Sequence, residues 1–193
     1  MKSEISSAVE LFVQALEKLN VSYFVGGSVA SSVYGIARAT MDIDMVSDLK
    51  EEHVKFLVQS LKDEYFIDED MIFDAIKNKS TFNLIHLATM IKIDVFISAE
   101  RKFDRISFKR RKKDSISDEP NAIQIFLCSA EDTILSKLEW YKAGGSVSER
   151  QWKDIIGVIK VQGELLDRDY LINWSEELSV KDLLEKALKE GKL

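Results

Sequence analysis

Asp42 and Asp44 stand two residues apart in MDIDMV at 41–46, alternating with Met41, Ile43 and Met45. Strict alternation of apolar and polar residues makes a strand with two unlike faces, so both carboxylates project from one side. A third acid, Asp94, lies in MIKIDVFI at 90–97, where Ile91, Ile93, Val95 and Ile97 alternate against Lys92, Asp94 and Phe96. A buried carboxylate without a partner costs several kcal/mol, so something must compensate these charges. Two carboxylates at i and i+2 can grip one or two hard cations, and a third acid from a neighbouring strand completes an oxygen cage suited to Mg²⁺. The structural alternative is that the acids end their strands or lie on a solvated face.

VSYFV at 21–25 is a short β-branched and aromatic run that ends in Gly26-Gly27-Ser28, and the residues from Ala30 to Tyr34 open a helix. In such a strand, glycine turn and helix, backbone N–H groups and the Ser28 hydroxyl can close on phosphate oxygens, helped by the helix N-terminus. A Gly-Gly pair also makes an ordinary tight turn.

The elements that must position these groups follow from periodicity. Ile5, Val9, Phe12, Val13, Leu16 and Leu19 recur at helical spacing up to Asn20. Residues 50–63 and 70–77 read as helices on either side of Tyr65-Phe66-Ile67, TFNLIHLAT at 81–89 pairs with 90–97 as a hairpin, and AIQIFL at 122–127 is the last strand. Ser129 and Asp132 have the Ser-x-x-acid form of a helix start, and helices cover about 130–142, 149–162, 168–178 and 180–189. Between Arg101 and Lys113 eight bases face one acid, Asp104. This block either tracks a nucleic-acid backbone or is a solvated hairpin or loop.

Composition bounds the rest. With 46% hydrophobic residues and one proline in 193, the chain is globular. Thirty-three acids against 27 bases leave a net charge of −6, which argues against a protein that coats nucleic acid with its whole surface. A lone cysteine, Cys128, forms no intramolecular disulfide, so a cytoplasmic location is expected, and His53 and His86 have no second ligand at metal spacing. The N-terminal helix carries acids within its apolar pattern and no stretch of about eighteen apolar residues occurs, so neither a signal peptide nor a membrane span is expected.

Taken in order, VGGSVAS, ARATMDIDMV and IKIDVFI resemble the nucleotidyltransferase superfamily built on the DNA polymerase β-like minimal fold. Its pattern is hydrophobic-Gly-Gly/Ser-Ser, a helix, Asp-x-Asp and a later strand acid. The form Arg38-x-Thr40-x-Asp42-Ile43-Asp44 is similar to the toxin nucleotidyltransferases of the AbiEii and MenT type, whose downstream lysine and aspartate helices match Lys137 and Asp154 in KLEWYKAGGSVSERQWKDIIGVIK. The resemblance spans about residues 20–160. It implies metal binding by Asp42, Asp44 and Asp94, with Asp94 on a second ion or accepting the proton of the attacking hydroxyl. It also implies nucleotide binding by Gly26, Gly27, Ser28, Arg38, Thr40, Lys137 and Asp154. From the residues alone, Arg38 and Thr40 equally cap the strand that follows, Lys137 equally lies solvated on an amphipathic helix, and Asp154 equally pairs with Lys153 or Arg150. Trp140, Tyr141, Trp152 and Trp174 pack the C-terminal core, or Trp140-Tyr141 border a base pocket.

The expected fold is α+β, a mixed sheet of four to five strands flanked by helices (residues 1–120), followed by the last core strand and a C-terminal helical annex (121–193) that closes over the nucleotide. The expected activity is Mg²⁺-dependent transfer of a nucleoside monophosphate from an NTP to a hydroxyl on tRNA, protein or a small molecule, using two ions with Mn²⁺ as an alternative. A toxin paired with an antitoxin protein is one setting for it. The rival is a non-catalytic binding or regulatory module of the same fold, itself antitoxin-like.

Overall fold

Strands form where the alternation is strongest. In the computed structural model, which describes residues 4–116 and 123–192, the chain makes two compact units: Met1–Gly26 with Thr40–Leu127, and Gly27–Ala39 with Cys128–Leu193. The boundary expected at Pro120 lies outside the described residues, as does Ala122 at the start of the last expected strand.

The first unit is one mixed seven-stranded sheet with helices. Its strands are β1 (Tyr23–Val25), β2 (Asp42–Ser47), β3 (Tyr65–Phe66), β4 (Thr81–His86), β5 (Lys92–Ile97), β6 (Lys112–Ser115) and β7 (Gln124–Leu127), in the order β3-β4-β5-β2-β1-β7-β6. β2 runs antiparallel to β1 and parallel to β5, while β7 runs parallel to β1. Ile43, Met45, Phe82, Leu84, Ile93, Val95, Ile125 and Leu127 are all buried. The four helices of this unit among the described residues are α1 (Glu4–Lys18), α3 (Glu51–Leu61), α4 (Glu69–Asn78) and α5 (Lys102–Arg110). α1 buries Val9, Phe12, Val13 and Leu16, the stripe its spacing predicts. α4 starts where Asp68 accepts a hydrogen bond from Met71 N at 2.8 Å and stops at Lys79 in the left-handed region, φ 48°.

Seven strands, against the four to five expected, and a helix inside the basic block correct the sequence reading. β6 consists of Lys112-Lys113-Asp114-Ser115, which has no apolar alternation to reveal it; it is a strand because its backbone pairs with β7 at the sheet edge, where lysine is well tolerated. α5 has few apolar residues, yet Phe103 and Ser107, one turn apart, give it a buried face.

The second unit is helical: α2 (Gly27–Tyr34), α6 (Ala130–Ala143), α7 (Glu149–Gln162), a 3₁₀ turn (Gly163–Leu165), α8 (Arg168–Glu177) and α9 (Lys181–Gly191). Ser129, Ser148 and Asp167 cap α6, α7 and α8, each accepting a backbone N–H three residues on. Leu135, Leu138, Ile155, Val158, Ile159, Leu171 and Leu184 fill its core. The aromatic residues do not. Trp140 is 56% exposed and Tyr141, Trp152 and Trp174 are half-buried, with Trp152 Nε1 donating to Glu190 Oε2 at 2.9 Å. No helix among the described residues is long and apolar enough to cross a membrane.

Gly35, just past α2, lets that helix approach α7 at backbone distance: a Cβ there would stand 2.7 Å from Val158 N and 2.9 Å from Gly157 C. Backbone cannot yield as a side chain can, so Gly35→Ala is expected to lower stability by about 1–3 kcal/mol through overpacking. The urea midpoint reads this; a midpoint equal to wild type would contradict the close approach.

Candidate functional site

In the first unit the acids share one face of the sheet. Ile43 and Met45 point into the core, which sends Asp42 and Asp44 to the other side of β2; Ile93 and Val95 do the same for Lys92 and Asp94 on β5. The parallel register sets Asp42 beside Lys92 and Asp44 beside Asp94, and Asn83 of β4 lies opposite Asp94. Gly26 N donates to Asp44 O at 2.9 Å, extending the pairing of β1 with the acid strand by one residue. Thr40 Oγ1 donates to Asp42 O at 3.0 Å and accepts from Asp42 N at 3.4 Å, so it closes the start of β2.

Among the described residues no three His, Cys, Asp or Glu side chains converge closely enough to hold a metal ion. The donor chemistry, carboxylate oxygens on one face, suits a hard divalent cation. A positive charge stands at two of the acids: the Lys92 ammonium, with Nζ 2.7 Å from Asp94 Oδ2 and 4.0 Å from Asp42 Oδ1. The hydrogen bond to Asp94, with the charges of Asp94, Asp42 and Asp44, holds that ammonium above its ordinary pKa against some loss of solvent. Sequence reasoning assigned Lys92 no role; its signal was the i, i+2 spacing to Asp94, the same that groups Asp42 with Asp44.

In the second unit a buried ion network surrounds Asp154. Arg38 donates through Nε to Oδ1 and through Nη2 to Oδ2, both at 2.8 Å, and Lys137 Nζ donates to Oδ2 at 2.9 Å. The side chains of Asp154 and Lys137 are only 6% and 9% exposed. Lys137 is therefore not a solvated lysine, and Asp154 pairs with neither Lys153, which bonds Glu149, nor Arg150. Burial pushes the Asp154 carboxyl up, and the hydrogen bonds and charges of Arg38 and Lys137 outweigh it, leaving the group below the usual carboxylate range.

Ser28, buried in the first turn of α2, accepts from Arg38 Nη2 at 2.5 Å and from Arg150 Nη2 at 3.5 Å. Gly27 opens this helix with φ 53°, a conformation that favours glycine. Arg38 and Lys137 thus meet at the Asp154 carboxylate, and Arg38 and Arg150 at the Ser28 hydroxyl, beside a helix N-terminus. Arg150 was missed as a site residue; its i, i+4 spacing to Asp154 places both on one side of α7. Cys128 is inert: burial pushes its thiol up to about 12.

The basic block splits by role. Arg101 pairs with Asp104, Lys113 reaches Glu17 at 3.2 Å, and Arg111 stacks over Phe126 with 4.7 Å from Cζ to the ring centre. Lys102, Arg105 and Lys109, at i, i+3 and i+7, line one exposed side of α5.

No family model and no curated protein sequence matches the chain. Among solved structures it is similar to the antibiotic-resistance factor ANT(2'')-Ia, with TM-score 0.58 and 10% identity over 96% of this chain and 99% of the other. An antigenic nucleotidyltransferase-like protein from Paracoccidioides brasiliensis matches at 0.57 and 19%, over 98% and 94% of the two chains. The lincosamide antibiotic adenylyltransferase LnuA matches at 0.50 and 16%, over 82% and 98%. Likeness at these identities is one of fold, and the fold is that of nucleotidyltransferases.

Removing Lys137 leaves the buried Asp154 to Arg38 alone, so Lys137→Met is expected to cost about 1.5–3 kcal/mol at neutral pH, the worth of one hydrogen bond to a charged group. Asp154, depressed in the folded state, contributes stability that is complete above the unfolded carboxylate value of about 4 and is lost as pH falls through its folded value. Denaturant unfolding of both proteins from pH 7 to pH 3 should therefore show the deficit narrowing towards acid. A deficit below about 0.5 kcal/mol at pH 7 would return Lys137 to the surface class.

Proposed function

We propose that this protein transfers a nucleoside monophosphate from an NTP to a hydroxyl acceptor. The observation that carries the reading is the placement of Asp42, Asp44 and Asp94 on one sheet face, with Asp44 in register with Asp94, in a fold of nucleotidyltransferase type. In-line attack at the α-phosphorus builds negative charge on the triphosphate and needs a base for the attacking hydroxyl. Asp42, Asp44 and Asp94 are the residues assigned to Mg²⁺, with Mn²⁺ as an alternative; a cation bound there neutralises phosphate charge and steadies the pyrophosphate leaving group. Asp94, when its oxygens are not so engaged, is the group assigned to accept the hydroxyl proton.

The cations of the second unit suit the triphosphate. Ser28, Arg38 and Arg150, with the backbone N–H groups that follow Gly26 and Gly27, are assigned to phosphate oxygens, since charge-assisted donors are the strong ones. Asp154 has both oxygens occupied by Arg38 and Lys137, so its assigned role is to hold those two cations in place rather than to touch nucleotide. Thr40, engaged with the Asp42 backbone, is assigned the same kind of role for β2.

Two acceptor classes have support. ANT(2'')-Ia is also known in complex with adenylyl-2''-tobramycin and LnuA with lincomycin, which favours a small hydroxylated molecule. The Lys102, Arg105 and Lys109 side of α5 favours a polynucleotide such as tRNA. The toxin setting and an antitoxin partner rest on the Arg38-x-Thr40-x-Asp42-x-Asp44 form. A second reading, a regulatory module without turnover, is favoured by the Lys92–Asp94 pair, which compensates Asp94 with no metal.

Incubation with each α-labelled NTP and Mg²⁺, alongside total tRNA, cell lysate, tobramycin and lincomycin, is expected to label one acceptor class. Asp42→Asn with Asp44→Asn should abolish labelling while unfolding remains cooperative. Labelling that survives the double substitution would remove these acids from the chemistry, and no labelling with any acceptor would favour the regulatory module.

If the acceptor is a polynucleotide, glutamine at 102, 105 and 109 should weaken its binding about tenfold at 0.1 M salt and flatten the salt slope by two to three. Filter binding at several salt concentrations reads this, and an unchanged slope would make that side of α5 a solvated surface.

A further inference from the structure

We infer that Lys92 is a tethered counter-ion at the acid face of the first unit, and that metal ions binding Asp42 and Asp94 compete with its ammonium. The inference rests on the reading of Asp42, Asp44 and Asp94 as the metal-binding residues. β2 and β5 are parallel neighbours, and their register makes a four-cornered patch: Asp42 beside Lys92, Asp44 beside Asp94. Strand spacing and rise make this patch roughly 5 by 7 Å. Three of its corners are anionic and one is cationic. Three carboxylates at such separations repel one another, and Lys92 is the cationic corner of that register.

The direction in which Lys92 reaches decides its role. A lysine at this position could extend into solvent, because its side chain is 40% exposed. Instead Nζ closes on Asp94 Oδ2 of its own strand at 2.7 Å and stands 4.0 Å from Asp42 Oδ1 across the strand boundary. The ammonium therefore stands between two of the three acids. Asp94 is the less exposed of its two partners, 19% against 52% for Asp42, so the tighter contact is also the better shielded one.

A divalent ion taking Asp94 as a ligand either displaces the ammonium from Oδ2 or binds the other oxygen with that positive charge a few ångström away. Either course weakens metal binding. The ammonium thus raises the free metal needed to load the site, and it offsets the charge of Asp94 and Asp42 in the meantime.

Mn²⁺ titration followed by the electron paramagnetic resonance of the free ion tests this on four full-length proteins: wild type, Lys92→Met, Lys92→Arg and the Asp42→Asn with Asp44→Asn double variant. Lys92→Met should bind Mn²⁺ about tenfold more tightly than wild type, the order expected for removing one charge near a divalent ion in a solvated site. Lys92→Arg, which keeps the charge, should stay within about twofold of wild type, and the double variant should lose binding. In the absence of metal the Lys92→Met protein should melt below wild type, and saturating Mn²⁺ should close the gap. Equal Mn²⁺ affinities in wild type and Lys92→Met, both lost in the double variant, would overturn the role of Lys92 and leave the metal-binding reading standing. Binding that does not depend on Asp42 and Asp44 in any of the proteins would overturn that reading, and this inference with it.

Discussion

β2 is gripped along both edges, antiparallel to β1 on one side and parallel to β5 on the other. A strand held on both edges cannot slip by one residue without sending Ile43 and Met45 out of the core and its acids into it. Everything chemical in the first unit follows from that. The register of β5 sets Asp94 beside Asp44, and the bond from Gly26 N to Asp44 O holds the end of β1 against the same strand. The hydrophobic alternation is thus both the folding signal and the device that aims the carboxylates.

The second unit solves a different problem. Asp154 is a carboxylate in an almost closed setting, and burial alone would favour its neutral form. Arg38 meets it with two parallel hydrogen bonds, geometry a lysine could not provide, and Lys137 adds a third. Such a network is a weak source of net stability, because desolvating three charges offsets most of their attraction. What it supplies is position: the guanidinium that grips Asp154 also donates to Ser28, so the carboxylate decides where that cation stands.

The segment from Arg101 to Ser115 shows how composition can hide structure. Its charge density reads as a loop, yet Phe103 and Ser107 suffice to seat α5, and Phe24 meets Phe108 edge-on at 5.0 Å. Arg111 then covers Phe126 with its guanidinium, an apolar use of a charged side chain. Arg101, Arg111 and Lys113 of that block thus serve packing and local ion pairs, while Lys102, Arg105 and Lys109 lie exposed on a single side of the helix.

Local spacing alone decided that the segments at about 41–46 and 90–97 are strands, that Asp42 and Asp44 share a face, that Gly26-Gly27-Ser28 joins a strand to a helix, and roughly where helices α6 to α9 run, because period and caps are properties of neighbours in the chain. Tertiary structure alone decided the partners. Lys92 joins the acids only through the pairing of β5 with β2, Arg150 approaches Ser28 across 122 residues, and Asp154 pairs with Arg38 and Lys137 rather than the nearer Lys153 and Arg150. β6, with four residues of no strand-like pattern, exists because β7 offers it an edge. Which charges compensate which is a question of distance in space, and Coulomb attraction acts on that distance without regard to separation along the chain.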